Sequence, residues 1–137
     1  MSPLKTRIDQ AVCSPKPALG SWPLLTLEQA AGLERVFKVL ANDSRIRLLN
    51  VLARSGELCV SDLAQQLGMT QQAVSNQLRK LLDVGILGSR REGLFIHYRI
   101  VDPCVVQLIE LGLCLMEDSQ PRAEGDVTRY TLAGGKR

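Results

Sequence analysis

The chain has few of the groups from which catalytic and zinc sites are usually built. It has one histidine, His97, and no Cys-x-x-Cys pair, glycine-rich phosphate loop, paired carboxylates on a shared face or nucleophile beside a base. A zinc ribbon is thereby excluded, and no constellation is left for acid–base or nucleophilic catalysis, so no enzymatic role is expected. Sites for zinc, nickel or cobalt want imidazoles that are not there. Every long apolar run is interrupted by charge, so no membrane span is expected. Residues 1–25 have no continuous apolar core to accompany Lys5 and Arg7; they do not read as a secretory signal, and a cytoplasmic location is expected. Net charge is small too. At +3 over 137 residues it permits nucleic acid as a partner without demanding one.

What is present is a globular composition, 45% hydrophobic and 23% charged, in a length suited to one domain. Residues 1–25 carry Pro3, Pro15, Pro17 and Pro23 without helical period and read as a flexible arm. Trp22, Leu24 and Leu25 at its end are too apolar for a free tail and hint at packing against a second subunit. Residues 26–119 form the folded domain, and residues 120–137, polar and aperiodic, read as a disordered tail.

Within the domain Thr26 caps a first helix to about Ala41, with Leu27, Ala30, Ala31, Leu33, Phe37 and Leu40 on one broad stripe. Asn42-Asp43-Ser44 starts a second, Arg45 to Arg54, ended by Ser55-Gly56. Glu57 to Val60 is a short extended piece. Ser61-Asp62 opens a third helix, Leu63 to Leu67, stopped by Gly68. After Thr70–Leu82, the period changes to that of strands. Residues 86–91 and 94–100 flank Glu92-Gly93, a turn dipeptide, and form a β-ribbon wing. Asp102-Pro103 starts a last helix, running to about Asp118 and apolar almost all round. A domain this small cannot bury such a helix alone, so a homodimer is expected.

Thr70 to Leu82 is the most informative stretch. Ala73, Val74, Leu78, Leu81 and Leu82 fall on one side of a helix, and Gln72, Ser75, Asn76 and Arg79 on another. Thr70 stands at the N-cap and Gly85 supplies the stop. Its first two turns carry Gln, Gln, Ser, Asn and Gln, with no acid before Asp83, where a merely solvated face would be rich in Glu and Lys. Amides both donate and accept, and Gln and Asn match the adenine edge in the major groove. Arg79 and Lys80 follow, where phosphates would pass. Two short helices joined by a Gly-containing turn make a helix-turn-helix.

Leu40-Ala41-Asn42-Asp43-Ser44-Arg45-Ile46-Arg47-Leu48-Leu49, Glu57-Leu58-Cys59-Val60-Ser61-Asp62-Leu63-Ala64, Val74-Ser75-Asn76-Gln77-Leu78 through Gly85-Ile86-Leu87, and the wing Arg91-Glu92-Gly93 to Tyr98-Arg99-Ile100 resemble, in that order, the ArsR/SmtB family of bacterial metal-sensing repressors. The resemblance covers roughly residues 27–118. It implies a mainly α, winged helix-turn-helix homodimer (α-α-α-α-β-β-α), joined through its first and last helices. Such a dimer binds palindromic duplex operator DNA and lets go when an inducer binds. Gln71, Gln72, Ser75 and Asn76, entered from Thr70, would read bases, with Arg79, Lys80 and the wing arginines Arg90 and Arg91 on phosphates.

The four cysteines, Cys13, Cys59, Cys104 and Cys114, bear on the inducer. With no export signal they should be thiols in a reducing cytosol. Members with Glu-Leu-Cys-Val-Cys-Asp use both cysteines, but here the second is Ser61, so Cys59 needs partners from elsewhere. Cadmium and lead sensors of the family take theirs from an N-terminal arm, where Cys13 lies. The stretch from Cys13 to Leu27 spans at most about 45 Å, enough to reach either subunit. In the last helix Asp102, Cys104, Cys114 and Glu117 look like the zinc site of other members with Cys replacing His. Cys104 and Cys114 point about 80° apart and stand about 15 Å apart along the axis, too far for one ion within a protomer. Cys114, in the apolar run Gly112 to Leu115, reads as core rather than ligand. A set of Cys13, Cys59 and Cys104 suits a thiophilic ion (mercury, cadmium or lead, with arsenite behind them), and a position just before a helix N-terminus favours Cys59 as thiolate. Two other readings stand beside this one. The same repressor could be switched by cysteine oxidation or persulfidation, although the second helix lacks the cysteine such members carry, or the winged helix could serve only as a protein-interaction module.

Overall fold

The computed structural model describes residues 18–119. A single 3₁₀ turn, Leu19–Ser21, precedes α1, Leu27–Leu40. Thr26 starts α1 with a reciprocal cap. Its hydroxyl accepts from the Gln29 N–H at 3.1 Å, and its own N–H donates to Gln29 Oε1 at 3.0 Å. Helix α2 is Asp43–Ser55, begun by Asn42, whose side chain accepts from the Arg45 N–H. Strand β1 is only Leu58–Cys59. Helix α3, Val60–Leu67, is N-capped by Cys59 without a side-chain cap bond, one turn earlier than Ser61-Asp62 suggested. Gly68, at φ +66°, takes the left-handed turn that ends α3, and Thr70 caps α4, Gln71–Asp83, through a 3.1 Å bond from the Ala73 N–H. Then come β2, Leu87–Glu92, β3, Phe95–Ile100, and α5, Pro103–Ser119.

The helix order and the wing are those expected, and the differences are local. The extended piece after α2 joins the wing, making a three-stranded antiparallel sheet of order β1-β3-β2, with Leu58 opposite Tyr98 and Cys59 opposite His97. The wing turn lies one residue later than Glu92-Gly93. Glu92 pairs with Phe95, so the two-residue loop is Gly93-Leu94, with Gly93 at φ +62°. Glycine at the first loop position matches the strand twist in a tight hairpin.

The core lies where α2, α3, α4 and the sheet meet. Leu48, Leu49, Leu52, Leu63, Val74, Leu78 and Leu81 are fully buried there, closed by Ile86, Leu87 and Ile100. Each side chain of this size contributes about 1.5–3 kcal/mol when removed from water, so this cluster fixes the angle between α3 and α4. The chain divides into two compact units at Val106 and Gln107. In the first, α1 buries only Leu40 and leaves Leu27, Leu33, Val36 and Phe37 exposed. In the second, the described part of α5 leaves Leu111, Leu113, Leu115 and Met116 exposed. Among the described residues no helix is long and apolar enough to cross a membrane.

Candidate nucleic-acid interface

Helix α4 turns Val74, Leu78 and Leu81 into the core, which obliges its other side to face outward. Gln71, Gln72, Asn76, Arg79 and Lys80 are exposed and Ser75 is half-buried. Gln72 Nε2 donates to Asn76 Oδ1 at 3.1 Å, one turn apart. That bond leaves Gln72 Oε1 to accept and Asn76 Nδ2 to donate, the pair of functions an adenine edge requires. The Thr70 hydroxyl accepts at the cap and still has its own proton to donate. No acidic residue stands in the first turn of α4, so nothing on this entry repels a phosphate.

Gln77 departs from the amide face to which the sequence assigned it. It is half-buried, and its Oε1 accepts from Arg45 Nη1 at 2.7 Å. The Arg45 Nε donates to the Val39 carbonyl at 2.5 Å, and the residue as a whole is 8% exposed. A buried guanidinium held by two neutral acceptors thus ties the end of α1 and the start of α2 to the middle of α4. Sequence reasoning missed this. The available signal was the position of Gln77 three residues after Val74 and four before Leu81, on the flank of the apolar stripe.

In the wing, Arg91 is exposed. Arg90 is committed to carboxylates: its Nε lies 2.7 Å and its Nη2 2.5 Å from Glu57 Oε1, and its Nη1 lies 2.9 Å from Glu92 Oε2. The bonds to Glu57 first, then Glu92, raise the pKa of Arg90 above its ordinary value. His97 joins the cluster, its Nδ1 4.0 Å from Glu57 Oε1 and its Nε2 3.6 Å from Glu92 Oε2. The Glu57 side chain is 9% exposed, and its Oε2 is buried with no hydrogen-bond partner among the described residues. Cys59, His97 and Arg90 stand opposite one another in a row across the three strands.

Cys59 is buried with a free thiol. Its Sγ lies 3.2 Å from Ser61 Oγ and donates to Asp62 Oδ2 at 3.2 Å. An ion arriving there must take the place of that proton. Cys114 carries a free thiol and is exposed, not core as its apolar neighbours suggested. Cys104, second residue of α5, has its N–H bonded to Asp102 Oδ1 at 2.9 Å, and its sulfur is in a disulfide, where the sequence suggested a thiol. Cys13 lies outside the described residues. Among the described residues no three His, Cys, Asp or Glu side chains stand together as a metal site.

Two short helices at a glycine corner, an amide-bearing second helix and a β-hairpin beside it define a winged helix-turn-helix protein of the nucleic-acid-reading kind. Residues 42–89 match the model for "Bacterial regulatory protein, arsR family". The chain is 56% identical to the crystal structure of the AntR antimony-specific transcriptional repressor, over 81% of this chain and all of that one, with a TM-score of 0.68. It is 45% identical to the arsenic resistance transcriptional regulator ArsR1 of Pseudomonas putida, over 57% of this chain and 60% of that protein. It is 31% identical, over 76% of this chain and 98% of the other, to the homodimeric winged helix-turn-helix DNA-binding domain Mb0332 from Mycobacterium bovis, with a TM-score of 0.62. The chain belongs to the arsR family of bacterial regulatory proteins, whose relatives here are transcriptional regulators and not enzymes.

Proposed function

We propose that this protein is a homodimeric repressor that reads duplex operator DNA with α4 and releases it when a thiophilic ion is bound by cysteine. The observation that carries the DNA half is the outward amide face at the start of α4, with no acid in its first turn and with Gln72 and Asn76 already bonded to each other. Gln71, Gln72, Ser75 and Asn76 read bases, and Arg79, Lys80 and Arg91 meet phosphates. Arg90, spent on Glu57 and Glu92, holds the wing rather than the backbone of the duplex. Dimerisation through α1 and α5 is supported by their exposed leucines and by the dimeric relative.

For the inducer, the similarity to an antimony-specific repressor and to an arsenic regulator favours a trivalent arsenic or antimony ion over mercury, cadmium or lead. Such ions take soft thiolate ligands, so the reduced sulfurs of Cys59, Cys13 and Cys104 are the donors proposed, with the Cys59 proton passing to Asp62 or solvent. Gel-shift titration of a duplex selected by the protein from a random pool tests both halves. Gln72→Ala with Asn76→Ala abolishes selective binding, and antimonite or arsenite releases the wild type but not Cys59→Ser at equal dose. Failure of any duplex to be selected overturns the first half; equal release of Cys59→Ser overturns the second. The disulfide at Cys104 favours one other switch, oxidation of cysteine, for which a thiol oxidant would release the duplex with no ion present and dithiothreitol would restore binding.

A further inference from the structure

The tie through Arg45 joins two helices with different work. Helix α1 leaves Leu33, Val36 and Phe37 exposed, as a second copy would require, and α4 presents Gln72 and Asn76. Only Ala41 and Asn42 separate α1 from α2. At that corner the Phe37 and Leu40 carbonyls accept from the Ala41 and Asn42 N–H groups, and the Val39 carbonyl takes Arg45 Nε. The guanidinium thus satisfies one of the carbonyls that a helix end leaves open. The root of the same side chain is held too, because Asn42 Oδ1 accepts from the Arg45 N–H at 3.0 Å. Its tip reaches Gln77, the residue after Asn76. The buried residues of α4 are otherwise Val74, Leu78 and Leu81. Apolar contact of that kind resists separation but is non-directional, so it sets little against rotation of α4 about its own axis. A hydrogen bond is directional. Among the described residues, the bond from Arg45 to Gln77 is the one side-chain hydrogen bond that ties α4 to another helix; the others on α4 are internal to it and its cap.

We propose that Arg45 and Gln77 are positioning residues that set the half-site spacing the repressor accepts, by fixing the rotation of each α4 relative to its own α1. This rests on the dimeric, DNA-reading function proposed above and adds to it the residues that decide spacing. Two reading helices enter successive major grooves only when they stand about one turn of duplex, about 34 Å, apart. With α1 in the dimer interface, a rigid joint from α1 to α4 carries the two-fold geometry to the amides. The joint is stiff because opening it would leave a buried cation, the Arg45 guanidinium, desolvated and short of an acceptor. Neither residue touches the duplex. They act through Gln72 and Asn76.

The test uses the full-length chain and a duplex it selects from a random pool, remade with the spacer between half-sites one base pair shorter or longer. Arg45→Met/Gln77→Met replaces the polar pair by apolar side chains of similar volume, a change that interiors accept, so melting temperature and dimer sedimentation should stay close to wild type. The wild type should lose about tenfold or more in affinity at either altered spacing, and the double variant about twofold or less. On a single half-site the two proteins should bind alike and with one salt slope, because no base or phosphate contact was removed. Equal dependence on spacing in both proteins would overturn the proposal. So would an equal loss on one half-site and on two, which would mean that the pair only supports α4 locally, and so would loss of the dimer. Should the double variant fail to fold, Gln77→Glu and Gln77→Met carry the same comparison. The first keeps an acceptor for Arg45 Nη1 and should keep the spacing preference; the second should not, and no difference between them would overturn the proposal. If the wild type selects no duplex at all, it is the DNA-reading function that fails, before spacing is tested.

Discussion

At Arg45 a single side chain sets the position of three helices. Its guanidinium reaches the Val39 carbonyl and the Gln77 amide from a buried site, and among the described residues no carboxylate pairs with it. Arg45→Ala should cost about 1–3 kcal/mol in urea unfolding, because two half-buried acceptors lose a charged donor. Arg45→Lys should recover only part, since an ammonium lacks the flat fork that spans both acceptors. In the sequence Arg45 reads as the first turn of a surface helix and Gln77 as one more outward amide. Periodicity reports which side of a helix a residue leaves from, and long polar side chains at the edge of the apolar stripe can turn either way. The residues pinned by strict period, such as Val74, Leu78 and Leu81, are legible from spacing alone. Leu63, fully buried, gives the standard for comparison: Leu63→Ala should destabilise by about 2–5 kcal/mol.

Among elements, the wing is the one whose details sequence could not supply. Alternation and a glycine announced a hairpin, yet its loop is displaced by one residue, because Glu92 is drawn into the ladder beside Arg90 and His97. Likewise Glu57 to Val60 reads as extended, but nothing in so short a stretch announces that Leu58 and Cys59 pair with β3, whose edge makes them a strand. Removing the brace should therefore loosen the wing before it unfolds the domain. Arg90→Ala is expected to speed amide hydrogen exchange in β2 and β3 while leaving the global unfolding midpoint close to that of the wild type, the guanidinium being open to screening water. Since the pKa of Arg90 is raised on folding, its contribution is complete at pH values below the ordinary arginine range and is lost only as pH climbs through the raised value. Wing exchange rates corrected for intrinsic chemistry should then show no step from Arg90 between neutral and mildly alkaline pH.

On the scale of the whole molecule, the protomer looks unfinished. Helix α1 has the stripe expected of a buried element, yet of its residues only Leu40 is buried; Leu25, Leu33 and Phe37 line an open groove. The excess of apolar residues in the first and last helices was legible as a need for a partner, whereas the geometry of that partnership was not, because periodicity gives faces but no crossing angles. Phe37→Asp should shift sedimentation toward the protomer and weaken binding to a two-half-site duplex far more than to a single half-site. Melting of the α2–α4 core should change much less.

The brevity of α3 has a mechanical outcome. With eight residues it is about 12 Å long, fixed at one end beside the Cys59 thiol and at the other by Gly68, the pivot from which α4 departs. It is a lever. Tilting it by about 5° carries the far end about 1 Å, and base contacts tolerate only the few tenths of an ångström within which a hydrogen bond survives. On the function proposed above, an ion at Cys59 would need neither to unfold anything nor to travel toward the duplex; a slight rocking of one stiff rod would move the Gln72 and Asn76 amides out of register.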